Sequence, residues 1–346
     1  MYKQLIRPIL FRFNPEFAHN LTLRGLKLTD KLYLARPLMR LIYKRKYPAL
    51  EREVFGIKFP NPVGLAGGLD KNAECYNPLS DFGFGFIEIG SLTPKPQEGN
   101  PRPRCFRLVK DRALINRMGI NNKGVLHAIK QLRDHRPEVI IAANIAKNTS
   151  SDDPEQISRD YDYAFSMLYE FVDFFVINVS CPNVEGLTSL QDISYLSDIM
   201  DVVLDKRMNM DHLKPILIKI SPDLSHAQVD EIVDYAMRSG VDGIIAGNTT
   251  RTRDGLTTSA RRVESIGNGG LSGAPIFEKS LEMVRYLVQV TGGKLPIIGC
   301  GGIMSPEQAQ QMLDAGASLI EIYTGFVYEG PALPAKIQRY LNKHLV

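Results

Sequence analysis

A short polar segment, Asn178 to Asn183, places two carboxamides and a thiol directly after an apolar run. The run Phe174–Ile177 is typical of a buried strand, and Pro182 then turns the chain into a polar loop. Carboxamides both donate and accept hydrogen bonds, and a thiol can become a base or nucleophile. By itself the segment also fits a capped strand end beside a structural cysteine. Polar groups after other strands favour a binding site instead.

Apolar, β-branched runs recur from about residue 54, and Gly, Asn, Ser or Lys follows most of them. Eight such runs are Pro62–Leu65, Phe86–Ile89, Val139–Ala142, Phe175–Ile177, Ile216–Ile218, Gly243–Ile245, Pro296–Ile298 and Leu319–Ile322. Helical patterns between them include Asp160–Phe171, Ala227–Arg238, Glu278–Val290 and Pro306–Ala315. Eight alternating units predict an α/β fold, a (β/α)8 TIM barrel, with its chemistry at the C-terminal ends of the strands. We also expect a hairpin strand at Phe55–Phe59 and extra strands within residues 91–125.

Glycine-rich segments follow the last predicted strands, where this barrel class often binds phosphate. They are Gly269–Gly273, Gly301–Gly302 and Tyr323–Gly325, and they let backbone N–H groups approach a phosphate closely. No G-x-G-x-x-G follows a strand, which disfavours a Rossmann dinucleotide site. A phosphate-bearing cofactor that is not a dinucleotide suggests flavin mononucleotide (FMN).

Charged and amide side chains at the strand ends suit the rest of such a site. Lys219 could place a cation near the N1–C2 edge of a flavin, where reduction builds negative charge. The alternative for Lys219 is an ion pair within the barrel, and we favour the cofactor role. Lys71 suits a substrate carboxylate. A small ring with amide edges could be held by four carboxamides, Asn116, Asn178, Asn183 and Asn248.

The first 48 residues differ from the rest of the chain in charge and pattern. They contain eleven Lys and Arg against Glu16 and Asp30, although the whole chain has a net charge of only +4. Apolar residues recur there at helical spacing, and Asn14 before Pro15 marks a helix start. Amphipathic helices with basic flanks predict contact with an anionic membrane surface. The alternatives are packing on the main domain and nucleic-acid binding, and the latter lacks aromatic residues between the basic ones.

Cysteine usage and apolar run lengths narrow the class of protein further. No C-x-x-C spacing occurs among Cys75, Cys105, Cys181 and Cys300, which argues against a zinc site or a disulfide framework. No apolar run approaches the length that spans a bilayer. We therefore predict an intracellular protein without a metal site, held at most on the membrane surface.

Three segments carry a resemblance to a known family, the dihydroorotate dehydrogenases. The segments are Gly90–Arg104, Asn116–Asn122 and Asn178–Asn183. The N-terminal helical extension resembles that of the membrane-associated, quinone-using class, and the resemblance covers nearly the whole chain. The soluble class lacks the extension and usually lacks Arg at the position of Arg117.

The resemblance implies FMN-dependent oxidation of (S)-dihydroorotate to orotate in de novo pyrimidine biosynthesis, with a membrane quinone as acceptor. It implies an N-terminal membrane and quinone-access segment at residues 1–48 and an FMN-binding barrel at residues 49–346. It also implies a peripheral location on the cytoplasmic face of the inner membrane of a bacterium. Neither nucleic acid nor a required protein partner is expected.

The resemblance assigns roles residue by residue. The implied FMN ligands are Ala66, Gly67, Gly68, Ser91, Asn144, Asn178, Lys219, Gly247, Gly273, Gly302, Tyr323 and Thr324. The implied substrate ligands are Lys71, Asn116, Arg117, Met118, Gly119, Ile120, Asn178, Asn183, Asn248 and Thr249. Quinone would enter past His19, Arg107 and Tyr323. The base at Cys181 removes the C5 proton while the C6 hydride passes to flavin N5.

One position departs from the pattern of the quinone-using class. That class normally has Ser where this chain has Cys181, whereas the soluble class has Cys. A free thiol titrates at about 8.5, far below a Ser hydroxyl, so a different pH dependence is expected. Three alternatives remain at this point: fumarate as acceptor, another substrate such as a tRNA uridine, and a non-catalytic barrel. Net acidic character beyond residue 48 disfavours the tRNA substrate.

Overall fold

A computed structural model describes residues 2–180 and 192–344, and its strands and helices are numbered here in chain order. The strands are Arg52–Val54 (β1), Ile57–Phe59 (β2), Val63–Leu65 (β3), Phe86–Leu92 (β4), Cys105–Leu108 (β5), Ala113–Asn116 (β6), Ile140–Ile145 (β7), Phe174–Asn178 (β8), Ile216–Ile220 (β9), Gly243–Ala246 (β10), Gly270–Gly273 (β11), Ile297–Cys300 (β12) and Leu319–Ile322 (β13). The helices are Arg7–Leu10 (α1), Pro15–Thr29 (α2), Ala35–Tyr43 (α3), Tyr76–Ser80 (α4), Val125–Asp134 (α5), Pro154–Leu168 (α6), Ile193–Met208 (α7), His226–Ser239 (α8), Ala260–Ile266 (α9), Phe277–Thr291 (α10), Pro306–Asp314 (α11), Thr324–Glu329 (α12) and Leu333–His344 (α13).

Eight parallel strands close into a barrel in the order β3, β4, β7, β8, β9, β10, β12 and β13, and β13 pairs again with β3. These are the eight runs that the sequence indicated, so the predicted TIM barrel is confirmed. Helices lie between successive barrel strands and pack on the outside of the barrel. The closed parallel sheet brings the C-terminal ends of all eight strands to one face.

The barrel interior has two layers of opposite character. The lower layer is apolar and contains Phe86, Ala142, Val176, Leu217, Ile245, Ile298 and Leu319. Two residues further along the same strands stand Glu88, Asn144, Asn178, Lys219, Gly247, Cys300 and Glu321. Side chains two residues apart in a strand point the same way, so the second set also faces inward. The apolar layer fills the barrel, and the polar layer forms the floor of a site above it.

The predicted strands ended too early at several positions. The strands β4, β7 and β9 continue to Leu92, Ile145 and Ile220, so Ser91, Asn144 and Lys219 lie within strands. The prediction took a polar residue as the sign of a strand end. In this barrel polar residues point inward in the upper layer, so a polar residue does not terminate the strand.

A two-stranded hairpin, β1 and β2, covers the lower end of the barrel. Val54 and Phe59 pack against the apolar layer, and the Phe59 ring lies 5.4 Å from that of Phe86. Phe55 and Gly56 have φ angles of 39° and 78°, as a two-residue hairpin turn requires. The prediction of one strand over Phe55–Phe59 was therefore wrong in its first two residues, which form the turn.

Capping residues mark the starts of several barrel helices. Ser225 and Gln228 form a reciprocal capping box at α8, and the Asp153 and Ser305 side chains accept from backbone N–H groups at the starts of α6 and α11. The predicted start of α6 at Asp160 was six residues late, because the Asp153 cap and the following Pro154 were not used.

A separate antiparallel sheet of β5, β6 and β11 lies beside the barrel mouth. It confirms the extra strands expected within residues 91–125. It also contains Gly270–Gly273, which the sequence had suggested as a phosphate-binding loop.

The N-terminal segment forms α1, α2 and α3. Asn14 caps α2, since its side chain accepts from the Glu16 backbone N–H at 2.9 Å, and Pro15 occupies the first turn as predicted. Arg36 and Arg40 of α3 each place Nε 2.6 Å from a carboxylate oxygen of the buried Asp81. Among the described residues, no helix combines the length and apolar character needed to cross a bilayer.

Candidate functional site

One cavity of about 540 Å³ opens above the polar layer of the barrel. Residues from all eight barrel strands, or from the loops that follow them, line it. The whole set predicted to bind the cofactor lies on its wall: Ala66, Gly67, Gly68, Ser91, Asn144, Asn178, Lys219, Gly247, Gly273, Gly302, Tyr323 and Thr324. The fold therefore brings together residues that are up to 258 positions apart in the sequence.

Most residues predicted to bind the substrate line the same cavity. They are Lys71, Asn116, Met118, Gly119, Ile120, Asn178, Asn248 and Thr249. Asn183 and the predicted base Cys181 lie outside the described residues. Arg117 does not line the cavity. Its guanidinium donates to the carbonyl oxygens of Ile266 and Asn268 and lies 4.7 Å from the Phe106 ring centroid.

Lys219 lies between two buried carboxyl groups in the polar layer. Its Nζ lies 2.7 Å from Glu88 Oε2 and 3.3 Å from Glu321 Oε2. The ion pair that the sequence analysis gave as the less favoured alternative for Lys219 is therefore present, and the cofactor role that it favoured stays a prediction. Lys219 also lines the cavity, so the ion pairs hold its ammonium group in position at the cavity floor.

The sequence analysis missed Glu88 and Glu321 as members of this site. Each is a single charged residue inside an apolar strand, in Phe86–Ile89 and Leu319–Ile322. A charge at an inward strand position must be paired, because an unpaired buried charge is strongly unfavourable. Together with Lys219 in Ile216–Ile220, the three isolated charges were a readable signal for an ion cluster inside the barrel.

The three groups shift one another's pKa. Burial lowers the pKa of Lys219, but the two carboxyl groups outweigh this and raise it above its ordinary value. Burial raises the pKa of Glu88, and Lys219 with its other donors brings it below the usual range. Burial and the nearby Glu88 carboxylate raise the pKa of Glu321. Lys219 is thus charged at neutral pH.

Ser180 connects two of the predicted carboxamides, and the sequence analysis missed it. Its backbone N–H and hydroxyl both lie 3.2 Å from Asn178 Oδ1, and Asn248 Nδ2 donates to its Oγ at 2.9 Å. Asn178 Nδ2 in turn donates to Ser91 Oγ at 2.8 Å. This chain fixes the amide orientations at the ends of β8 and β10. A hydroxyl residue directly before Cys181, within the segment Asn178–Asn183, was the available signal.

Glycines crowd the backbone on the side of the cavity near β11, β12 and α12. A Cβ atom at Gly302 would lie 2.5 Å from Phe277 Cα, and one at Gly273 would lie 2.4 Å from the Arg112 carbonyl oxygen. Both residues have positive φ. Ser272 and Thr324 hydroxyls meet at 2.8 Å beside them. Main-chain N–H groups and hydroxyls at a crowded glycine backbone are the donor set that suits a phosphate.

The N-terminal segment forms the opposite end of the cavity. Ala18, His19, Leu23 and Leu26 of α2 line it with Tyr2, Leu10 and Phe11. Arg107 holds the segment in place, since its guanidinium donates to the Phe13 carbonyl oxygen at 2.6 Å and lies 4.5 Å from the Phe11 ring centroid. The buried Glu16 adds an ion pair with Arg104 at 2.7 Å. The cavity therefore extends from the polar floor of the barrel to the helices of the extension.

The comparisons with known proteins all give the same family, and they cover most of the chain. The sequence model for dihydroorotate dehydrogenase matches residues 49–345. A protein of Christiangramia forsetii named dihydroorotate dehydrogenase (quinone) is 46% identical over 346 residues and covers 100% of both chains. A protein of Methylococcus capsulatus with the same name is 44% identical over 98% of both chains.

Solved structures give the same result. The crystal structure of DHODH from Eimeria tenella in complex with ferulenol superposes with a TM-score of 0.84, at 33% identity, over 94% of this chain and 90% of that one. The ligand-free form from the same organism gives a TM-score of 0.85 at 32% identity, over 94% of each chain.

The environment of His19 predicts a loss of stability in mild acid. Burial, with the nearby Lys71 charge, lowers its pKa from 6.5 to about 4. Between these values the unfolded chain binds the proton and the folded protein does not. The contribution of neutral His19 to the free energy of unfolding is therefore fully present above pH 6.5 and is lost as the pH decreases towards 4. Urea unfolding should show that lowering the pH from 7 to 5 costs the wild-type protein about 1–2 kcal/mol more than the His19→Asn variant.

The exposed His344 supplies the matched control. The His344→Asn variant should keep the wild-type difference between pH 7 and pH 5, because its side chain is outside the cavity. An equal difference for wild type and His19→Asn would show that His19 titrates in the same way in the folded and unfolded states.

Proposed function

The chain belongs to the dihydroorotate dehydrogenase family, and on that premise we propose that it oxidises (S)-dihydroorotate to orotate with FMN as cofactor and a membrane quinone as acceptor. The observation that carries the proposal is one continuous cavity. It has a polar floor inside the barrel, where Lys219 is paired with two carboxyl groups, and an apolar end formed by the N-terminal helices. A polar substrate and an apolar acceptor can therefore approach one cofactor from different sides.

The residues of the barrel mouth fit FMN. The crowded glycines Gly273 and Gly302 with the Thr324 hydroxyl would hold the phosphate. Lys219 would lie along the ring edge that gains negative charge, and the Asn144 Oδ1 atom, which has no partner among the described residues, is available to the ring. When bound, FMN supplies the hydride acceptor and the electron carrier to the quinone.

The carboxamide network fits dihydroorotate, which has a carboxylate and a ring with amide edges. Lys71 supplies a cation close to Gly68, where a Cβ atom would lie 3.5 Å from its Nζ. Asn178 and Asn248 are oriented through Ser180, and Asn116 faces the same cavity. A substrate held by these groups has its carboxylate at Lys71 and its ring edges on the carboxamides. Cys181, the residue after Ser180, is the proposed base for the C5 proton.

The apolar end of the cavity fits a quinone. Ala18, Leu23 and Leu26 of α2 supply apolar contacts, and His19 and Arg107 are polar groups at that end. Because burial keeps His19 neutral at pH 7, it can donate or accept a hydrogen bond there without adding charge. Tyr323, to which the resemblance assigns contacts with both cofactor and quinone, also lines the cavity.

The polarity of the N-terminal helices supports a peripheral location on an anionic membrane. In α3 the arginines face the barrel and bind Asp81, whereas Leu38 and Leu41 of the helix are 56% and 78% exposed and Leu34, directly before it, is 71% exposed. A helix that packed only on its own domain would have the opposite arrangement. On α2, Phe17, Leu21 and Leu28 are also exposed. Arg24 of α2 and Lys31 in the connection to α3 are exposed basic residues that suit anionic headgroups.

The proposed reaction predicts a yellow protein whose colour dihydroorotate bleaches. Heat should release one FMN per chain, identified by chromatography. Under anaerobic conditions dihydroorotate should reduce the flavin, and a soluble quinone should reoxidise it. Recovery of FAD, or a bound FMN that dihydroorotate leaves oxidised, would contradict the proposal.

The Cys181→Ala variant tests the base within the same experiment. A general base contributes roughly 10²–10⁴ in rate, so flavin reduction should slow by about that factor while FMN stays bound. Cys75→Ala serves as the control, because this buried thiol lies outside the cavity and should leave the reduction rate unchanged. Reduction of Cys181→Ala at the wild-type rate would exclude the thiol as base.

The exposed apolar face of α3 predicts the membrane contact. Burying a Leu side chain contributes about 1.5–3 kcal/mol, so the double variant Leu38→Glu/Leu41→Glu should bind vesicles containing phosphatidylglycerol about a hundredfold or more weakly. Vesicle sedimentation measures this, and anaerobic reduction by dihydroorotate should remain at the wild-type rate.

Leu126 and Leu213 give a matched control on the barrel surface, where they are 60% and 64% exposed. The double variant Leu126→Glu/Leu213→Glu adds the same charge and removes the same apolar surface, yet it should sediment with vesicles as the wild type does. Equal loss of binding in both double variants would show that net charge, and not the α3 face, determines the interaction.

A further inference from the structure

The ion cluster on the cavity floor contains two carboxyl groups but only one ammonium group, so ionisation of both carboxyl groups would be unfavourable. Glu88, Lys219 and Glu321 are 0%, 4% and 1% exposed. One ammonium and two carboxylates would leave a net charge of −1 away from water. An uncompensated buried charge is costly by several kcal/mol, so one proton is expected to remain in the cluster.

The hydrogen bonds indicate which carboxyl group carries that proton. Glu88 accepts from the Gly67 backbone N–H at 3.0 Å, from Asn144 Nδ2, and from Lys219 Nζ at 2.7 Å. Among the described residues, Glu321 accepts the longer bond from Lys219 at 3.3 Å, no donor reaches its Oε1, and its carboxyl group interacts with that of Glu88. A carboxylate with several donors keeps its charge, whereas one with few donors takes the proton.

We propose that Glu321 is a positioning residue that holds one proton at neutral pH, keeps the cluster neutral beside the cofactor, and loses that proton at alkaline pH, which disfavours reduction of the cofactor. The inference rests on the proposed FMN site, because it needs a cofactor above Lys219. The role of Glu321 is additional to the hydrogen bonds and charges by which the proposed site would hold FMN and substrate.

The other ionisable groups around Glu321 keep one charge state near neutrality. Its strand neighbours are β3, whose residues Val63–Leu65 carry no ionisable side chain, and β12, where Cys300 is its register partner. Burial raises the pKa of the Cys300 thiol, which stays protonated. Across the barrel stand Lys219 of β9, held charged by its carboxyl partners, and the ionised Glu88 of β4. Glu321 is therefore the described group in the cluster whose charge can change.

Reduction of the cofactor is then coupled to this proton. Lys219 would face the negative charge of a bound flavin after reduction by two electrons and one proton. That charge favours the protonated form of Glu321. Where Glu321 is ionised beside the oxidised ring, its carboxylate binds a second proton on reduction. The equilibrium constant for flavin reduction should then decrease with each pH unit by up to about tenfold more than it would if only one proton were taken up.

The Glu321→Gln variant tests the coupling, since glutamine keeps the size and polarity of a protonated glutamate but does not ionise. The reduction potential of bound flavin should be measured against reference dyes from pH 6 to pH 10, without dihydroorotate. Wild type and variant should agree at pH 7. At higher pH the equilibrium constant for flavin reduction should become smaller in the wild type than in the variant, by up to about tenfold per pH unit.

The Cys300→Ala variant is the control, and it should follow the wild-type pH dependence. Identical profiles for wild type and Glu321→Gln would overturn the proposal, as would a constant difference from pH 6 upwards, which would mean that Glu321 is already ionised. Loss of the alkaline change in Cys300→Ala would assign it to the thiol and also overturn the proposal. A wild-type protein without flavin would contradict the proposed function itself.

Infrared spectroscopy decides the case if Glu321→Gln does not retain flavin. Difference spectra of wild-type protein with ¹³C-labelled glutamate, recorded between neutral and alkaline pH, should show a protonated carboxyl signal that disappears as the pH rises. A spectrum without that signal at neutral pH would overturn the proposal.

Discussion

The cost of a charge inside a closed barrel determines the arrangement of this site. Lys219 stands in a strand that is otherwise apolar, and its ammonium group is almost completely withdrawn from water. It is stable there because Glu88 and Glu321 approach it from two other strands. Removing Lys219 or Glu88 would cost several kcal/mol, since the opposite charge would then lack its main partner. Barrel closure and the polar floor are therefore interdependent: the closed sheet brings the three strands together, and the charges exclude a purely apolar filling of the upper layer.

The N-terminal extension completes the site by closing the cavity from above. Its polar contacts face inward: Glu16 binds Arg104, Arg36 and Arg40 bind Asp81, and Arg107 donates to the carbonyl oxygens of the first turns. Part of the basic charge that the sequence concentrates in this segment, including Arg36 and Arg40, is therefore used for docking on the barrel. The apolar residues are divided between the cavity wall and the exposed face of the helices. One segment thus connects the interior of the barrel with the surface that we propose to lie on the membrane.

The sequence predicted the parts of this structure that depend on local pattern. Apolar runs followed by polar residues located eight strands, and the residues at their ends were the ones that line the cavity. Pairing across the barrel was not predictable in this way, because Glu88 and Glu321 are 233 residues apart and each looks like an isolated charge in a strand. The helical pattern of α3 showed two faces without showing which one docks, since that depends on the position of Asp81. Arg117 was assigned by its motif, yet its side chain is fixed by the carbonyl oxygens of a distant loop.

The central claim is that one cavity serves a polar substrate at the barrel and an apolar acceptor at the extension. Ala18 allows a direct measurement, because it is 4% exposed and lines the cavity from α2. In the Ala18→Trp variant, anaerobic rapid mixing should show reduction by dihydroorotate at the wild-type rate and reoxidation by a soluble quinone slowed by at least about tenfold, since the larger side chain fills the acceptor's end. Gly25→Trp places the same side chain on α2 where no neighbouring atom lies within 4 Å, and it should leave both rates unchanged. Reoxidation of Ala18→Trp at the wild-type rate, or equal slowing of both half-reactions, would contradict the claim.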